Sequence, residues 1–290
     1  MDLNTVKRED VLANGIKHHL RTIGNASSSM VLLHGWPQTS YCWRYLLDAL
    51  ADSFHMVAPD LRGIGDTAKP DTQYDKATVA ADIWAIMDKR GINKTILVGH
   101  DIGARVAIRM TLDQPDRIDR LIIINGRYPV LGDLKTSDLT QMKERWYFFF
   151  HQYPDLVEKL VSENIRAYYS HFLNHWSHPS FFFKEEDVNE YVRAYSTPGS
   201  IRGGCAHYQA AMNEDVAQWA ADVGKTISVP TLVIWGSNDP CSPPFYTDGY
   251  DQVFINSSLH FISECGHFPH EEKPSETIAL IREFCSVNPY

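Results

Sequence analysis

The chain is poor in the features that mark several protein classes. Its cysteines, at 42, 205, 241, 265 and 285, are odd in number and form no CxxC pair. That speaks against a disulfide framework or a zinc ribbon and predicts a reducing compartment. No apolar run is long enough to span a bilayer, and the first ten residues, MDLNTVKRED, lack the apolar stretch of a secretory signal. Positive charge is short as well. With a formal net charge of −9 and no basic run, a nucleic-acid partner is disfavoured. Internal repeats and low-complexity segments are also missing. We therefore expect a soluble, cytoplasmic protein, monomeric or homodimeric, whose partner is a small molecule rather than a nucleic acid or a membrane.

What is present suits an enzyme-sized globule: 290 residues, 44% of them hydrophobic, can bury a substantial core in one or two domains. Residues 3–11 and 16–23 read as two strands joined at Asn14-Gly15, a strong hairpin signal. Met30-Val31-Leu32-Leu33 is a short apolar run of the kind found in strands buried on both faces. Helical spacing over about 41–50 and a strand at 55–58 follow, then an amphipathic helix over 76–90. Strands at 95–99 and 121–124 flank another helix that Gln114-Pro115-Asp116 should end. This alternation of strand and helix predicts an α/β fold around a mostly parallel sheet.

The alternation breaks at Asn125-Gly126-Arg127. From Tyr128 to about Ile227 the chain is aromatic and helical in spacing, and strands return only at 231–235 and near 260–262, before a helix around 275–284. We expect a helical cap, residues 128–227, inserted between two late strands of a core formed by 1–127 and 228–290. Such an insertion would fold over the strand C-termini, where open α/β sheets hold ligands.

Between the strand at 95–99 and its helix stands Val98-Gly99-His100-Asp101-Ile102-Gly103. Glycines on both sides of Asp101 suggest a strained strand-to-helix turn that lifts one side chain above the sheet, the geometry of a nucleophile elbow. A carboxylate that attacks carbon forms an ester, which water must then cleave. That chemistry suits the opening of epoxides or the displacement of halide.

Five motifs now stand in order along the chain: His34-Gly35-Trp36-Pro37, Arg62-Gly63-Ile64-Gly65-Asp66-Thr67, His100-Asp101-Ile102-Gly103, Gly236-Ser237-Asn238-Asp239 and Gly266-His267-Phe268. In this order and spacing the sequence resembles the α/β-hydrolase fold family, on the branch of epoxide hydrolases and haloalkane or haloacetate dehalogenases. The resemblance implies that Asp101 is the nucleophile, His267 the base that activates water, and Asp239 the acid that orients His267. It also implies an oxyanion hole from the backbone N–H groups of Trp36 and Ile102. No cofactor is implied.

The branch depends on the neighbours of these residues. Haloalkane dehalogenases typically carry Trp after the nucleophile, where this chain has Ile102. Haloacetate dehalogenases place arginines one and four residues after it, and only Arg105 remains here. Their cap His-Trp pair for halide corresponds to the stretch holding Trp146-Tyr147, and their acid position is the neutral Asn125. In epoxide hydrolases two cap tyrosines donate to the epoxide oxygen, and alignment of the cap motifs puts Tyr147 and Tyr208 there. An epoxide hydrolase is thus the leading expectation. A haloacetate-type dehalogenase using the same Asp101, His267 and Asp239 is the alternative, and a catalytically silent binding protein of this fold the distant one.

His34, Arg105 and Trp146 are further candidates for the substrate site. Arg105, one helical turn beyond Asp101, can face the pocket, a neighbouring acid or the sheet. A structural ion pair is the simpler expectation, while a pocket-facing position would favour a carboxylate-bearing substrate. His171 and His175 have the spacing of the HExxH histidines, but Phe172 stands in the glutamate position, so no metal is expected.

Overall fold

The structure is a computed structural model that describes residues 5–131 and 139–286. Its strands are β1 (Lys7–Ala13), β2 (Ile16–Ile23), β3 (Ser29–Leu33), β4 (His55–Pro59), β5 (Thr95–His100), β6 (Ile118–Ile124), β7 (Thr231–Gly236) and β8 (Ser257–Ile262). They form one sheet in the order β1-β2-β4-β3-β5-β6-β7-β8, with β1 and β2 antiparallel to their neighbours and the other pairs parallel. At the first hairpin Asn14 and Gly15 have φ of 47° and 79°, the two positive values of the turn that matches strand twist. Residues 3 and 4 of the strand expected there lie outside the described residues.

Strands β5 and β7 are buried at every residue and β3 and β6 at nearly every one. Successive side chains point to opposite faces, so both faces of the sheet are covered. Helix α1 (Arg44–Leu50) follows a single 3-10 turn, Ser40–Trp43, in which the Thr39 hydroxyl caps the Tyr41 N–H. Helix α2 (Lys76–Lys89) starts at Asp75, which accepts from Thr78 N at 3.0 Å, and α3 (Ile102–Asp113) follows β5 directly. Helices α2 and α3 pack together, with α3 lying on β5 and β6.

Between β6 and β7 come α4 (Leu139–Glu144), α5 (Trp146–Phe150), α6 (Pro154–Val161), α7 (Ile165–Trp176), α8 (Glu185–Tyr195), α9 (Ser200–Met212) and α10 (Glu214–Ala220). No strand occurs among the described residues of this stretch; residues 132–138 lie outside them. After β7 come α11 (Tyr250–Val253), α12 (Pro269–Glu272) and α13 (Pro274–Ser286), the last packing on α1 and β7.

The inserted helices are tied to the sheet layer by charge. Arg44 on α1 pairs with Asp187 on α8 at 3.1 Å and with Glu271 on α12 at 2.6 Å. Tyr41 donates to Asp187 at 2.8 Å, and Arg21 reaches Glu190 at 3.1 Å.

The glycines beside Asp101 have a different task from the expected one. A Cβ on Gly99 would sit 2.6 Å from Ala104 Cα, and one on Gly103 would sit 2.2 Å from the Leu33 carbonyl oxygen. They let α3 press onto β5 and β3, while the strained backbone belongs to Asp101 itself, at φ 49° and ψ −116°. Gly103→Ala should therefore destabilise the fold by about 1–3 kcal/mol, the usual cost of overpacking a core. Urea unfolding midpoints would check it, and an unchanged midpoint would refute the close approach.

Candidate active site

The ends of β3, β5, β7 and β8 bring four of the motif segments together, and the end of β6 adds Asn125. Asp101 leaves β5 with its Oδ2 accepting from Trp36 N at 3.2 Å, at the end of β3. Among the described residues Ile102 N has no acceptor at the start of α3. Both N–H groups expected in the oxyanion hole thus lie beside Asp101, one of them already on its carboxylate.

His267 and Asp239 are buried. His267 Nδ1 lies 2.7 Å from Asp239 Oδ2, so a carboxylate acceptor assigns the proton to Nδ1. Its Nε2 has no hydrogen-bond partner among the described residues, leaving a lone pair free to take a proton. Asp239 Oδ2 also accepts from Asn125 Nδ2 at 2.6 Å, while Oδ1 accepts from Cys241 N at 2.8 Å and Ser242 N at 2.9 Å. Asn125 in turn accepts from Gly236 N at 3.1 Å. The neutral residue after β6 is therefore a donor that fixes the acid after β7.

Burial alone would push the His267 pKa down. The charge and hydrogen bond of Asp239, with the charges of Asp101 and Glu272 behind them, outweigh burial and hold it above its ordinary value of 6.5.

Tyr147 from α5 and Tyr208 from α9 line the same cavity as Asp101, together with Ile102, Arg105, Arg145 and Cys241. Their rings meet edge to face at 5.4 Å. Tyr147 lies parallel to the Trp36 ring at 6.0 Å, and its hydroxyl is 3.4 Å from Cys241 Sγ, a weak partner. The Tyr208 hydroxyl makes no hydrogen bond among the described residues. Burial raises both phenols well above the ordinary 10, with Cys241 adding to the shift at Tyr147 and Tyr147 and Asp101 at Tyr208. Both stay protonated at neutral pH and can donate.

Three expectations need correction. Arg105 forms no ion pair among the described residues: it faces the cavity, with its Nε unpaired, because the acids near α3 are taken by Arg109, which pairs with Asp113 and Asp222. His34 does not line the cavity. Its Nδ1 lies 2.9 Å from the Gly35 carbonyl and its Nε2 accepts from Leu61 N at 2.9 Å, so both ring nitrogens are committed to backbone. Trp146 is 42% exposed. A helix turns about 100° per residue, so placing Tyr147 inward turns Trp146 out.

Beside the cavity lies a compartment of about 700 Å³ that shares Arg105, Phe148 and Ala211 with it and has an apolar wall including Val130, Met212, Val216 and Trp219. Sequence reasoning passed over Arg145, Cys241 and Glu272. Arg145 is 4% exposed, faces the cavity, and has aromatic rings but no carboxylate as neighbours among the described residues. No local pattern marks it. Glu272, five residues after His267 and the last residue of α12, accepts from the N–H groups on both sides of that histidine.

Residues 29–274 match the α/β hydrolase fold family. The soluble epoxide hydrolase of Corynebacterium sp. (strain C12) is 35% identical over 288 residues, covering 96% of this chain and 97% of that protein. The fluoroacetate dehalogenase of Burkholderia sp. is 29% identical over 272 residues, 91% of this chain and 89% of that protein. Among solved structures, epoxide hydrolase CorEH without ligand superposes with a TM-score of 0.88 at 33% identity, over 97% of this chain and 98% of that one.

The chain belongs to the α/β-hydrolase fold family. Within it the chain is a hydrolase on the branch that holds epoxide hydrolases, with dehalogenases also among its relatives. Among the described residues no helix is long and apolar enough to cross a membrane.

Because the folded state raises the His267 pKa, the imidazolium stabilises the fold fully below the unfolded value of about 6.5 and loses this effect as pH rises through the folded value. Asp239→Asn should bring the His267 titration down and weaken that pH dependence. Imidazole NMR titration would check it; an unmoved titration would show that Asp239 is not the governing partner.

Proposed function

We propose that the chain is an epoxide hydrolase that converts an epoxide to a vicinal diol through an ester on Asp101, with residues 128–227 as the cap and 1–127 and 228–290 as the core. The observation that carries this reading is the placement of Tyr147 and Tyr208 on the cavity that holds Asp101. Opening an epoxide requires a carboxylate on carbon and a proton donor on oxygen, and both are at hand there.

In the first step Oδ1 of Asp101, the oxygen not held by Trp36 N–H, attacks an epoxide carbon. The carbon–oxygen bond breaks, and the alkoxide takes hydrogen bonds and a proton from the tyrosine pair. Oδ2 becomes the ester carbonyl oxygen and stays on Trp36 N–H. In the second step His267 Nε2 takes a proton from water as that water attacks the ester carbon. Charge then develops on Oδ2, where the N–H groups of Trp36 and Ile102 stabilise it; one such donor is typically worth about 3–4 kcal/mol. On collapse the expelled ester oxygen takes the hydroxyl proton of the tetrahedral species, which releases the diol and restores the Asp101 carboxylate. The imidazolium, stabilised by Asp239, then returns its proton through solvent to the tyrosinate left by the first step. The base works as neutral imidazole, so the second step speeds up as pH rises through the His267 value.

A specific observation supports a second reading. Arg105 and Arg145 both face the cavity without a carboxylate partner among the described residues. Two such guanidinium groups suit the carboxylate of a short haloacid, whose halide Asp101 would displace.

Asp101→Ala should abolish turnover. His267→Gln should still form the ester, so a mass increase equal to one substrate should appear on Asp101 after incubation with a styrene-oxide-type epoxide. No adduct with a substrate that the native enzyme turns over would sink the mechanism. Halide release from haloacetate without diol formation from epoxides would move the assignment to the dehalogenase.

A further inference from the structure

Glu272 is 8% exposed, at the end of α12. Its Oε1 accepts from Phe268 N at 2.8 Å, and its Oε2 accepts from Gly266 N and His178 N, each at 2.8 Å. Two of these donors flank His267. The third belongs to the link between α7 and α8, in the cap. A fourth bond runs in the same place: His267 N donates to the Trp176 carbonyl at 2.8 Å. The two segments are so close that a Cβ on Gly266 would sit 2.3 Å from that carbonyl oxygen. One buried carboxylate thus joins the turn that carries the base to the segment of the cap lying on it.

We propose that Glu272 is a positioning residue that makes the alignment of His267 depend on the cap being seated on the core. This rests on the two-step reading above. Ester formation uses Asp101, Trp36 N–H and the two tyrosines, none of which bonds to Glu272. Only hydrolysis uses His267, so Glu272 governs the second step alone. The residue suits the task because an ionised carboxylate offers acceptors only, and three N–H groups must be met at once. A glutamine offers one oxygen and one NH₂, so at least one of the three loses its acceptor.

In Glu272→Gln, single-turnover kinetics should show ester formation within about 3-fold of the native rate and hydrolysis slowed about 10–100-fold, the scale of an ångström-sized misplacement. The Asp101 adduct should then accumulate. His178→Pro tests the cap side alone, because it removes that N–H and leaves the donors around His267 in place. Ser177 already has the extended φ of −79° and ψ of 159° that a following proline requires. Here hydrolysis should slow about 3–10-fold with ester formation unchanged.

A pH profile separates positioning from general loosening. His267 is faced by Asp239 after β7, Asp101 at the elbow and Glu272 on α12, and by His100 and His270, which burial keeps neutral. Removing one of three negative charges should move the pH limb of hydrolysis downward.

Equal slowing of both steps in Glu272→Gln, or unchanged hydrolysis in either variant, would overturn the proposal. If Glu272→Gln fails to fold, His178→Pro decides on the same two rates. Failure of the ester reading itself registers separately, as the lack of an Asp101 adduct in His267→Gln.

Discussion

A single buried carboxylate holds the site together. Asp239 is 3% exposed, and taking a charge out of water costs several kcal/mol unless its lone pairs are filled. Here they are filled by Asn125, His267 and the N–H groups of Cys241 and Ser242. Those donors come from the end of β6, the turn after β8 and the loop after β7, three segments far apart in the chain. Satisfying Asp239 fixes the spacing of the strand ends and the ring of His267 together.

Trp36 does for the inserted helices what Asp239 does for His267. Its backbone N–H meets Asp101, while its indole, 1% exposed, is surrounded by Tyr147, His151, Tyr169, Phe172, Trp176 and Tyr208 from the inserted helices. The residue that supports the carboxylate is thus also the one the aromatics of the inserted helices pack around. The two tyrosines reach the cavity of Asp101 by packing on the residue that already bonds it. The distance between the two tyrosines and the carboxylate is set by van der Waals contact between rings, which is stiff.

Much of this was legible in the sequence, for local reasons. Apolar runs and helical spacing mark elements because they follow from the 2.0 and 3.6 residue periods. Asn14-Gly15 marks a hairpin because both residues tolerate positive φ. The stretch around Asp101 was legible as a sharp turn. What could not be read was the direction of a side chain once packing had chosen it. Trp146 and Tyr147 are neighbours in sequence, yet one faces solvent and the other the cavity. His34 sits in a site motif but spends both nitrogens on backbone. Arg105 was expected to find an acid, but Arg109, one turn on, holds the acids available. Asn125 looked like a gap in a catalytic pattern, and only the register of β6 against β7 shows it to be the partner of Asp239.

The backbone of Asp101 has a further consequence. A non-glycine residue held at φ 49° and ψ −116° carries a conformational penalty of about 1–3 kcal/mol, which the packing of α3 on β5 must offset. The position that confers the proposed activity is therefore one at which the chain would be more stable with a different residue. Selection for durability alone would drift toward glycine there and erase the carboxylate. Under the proposed activity, the aspartate at the tip of this turn serves chemistry against the preference of the fold.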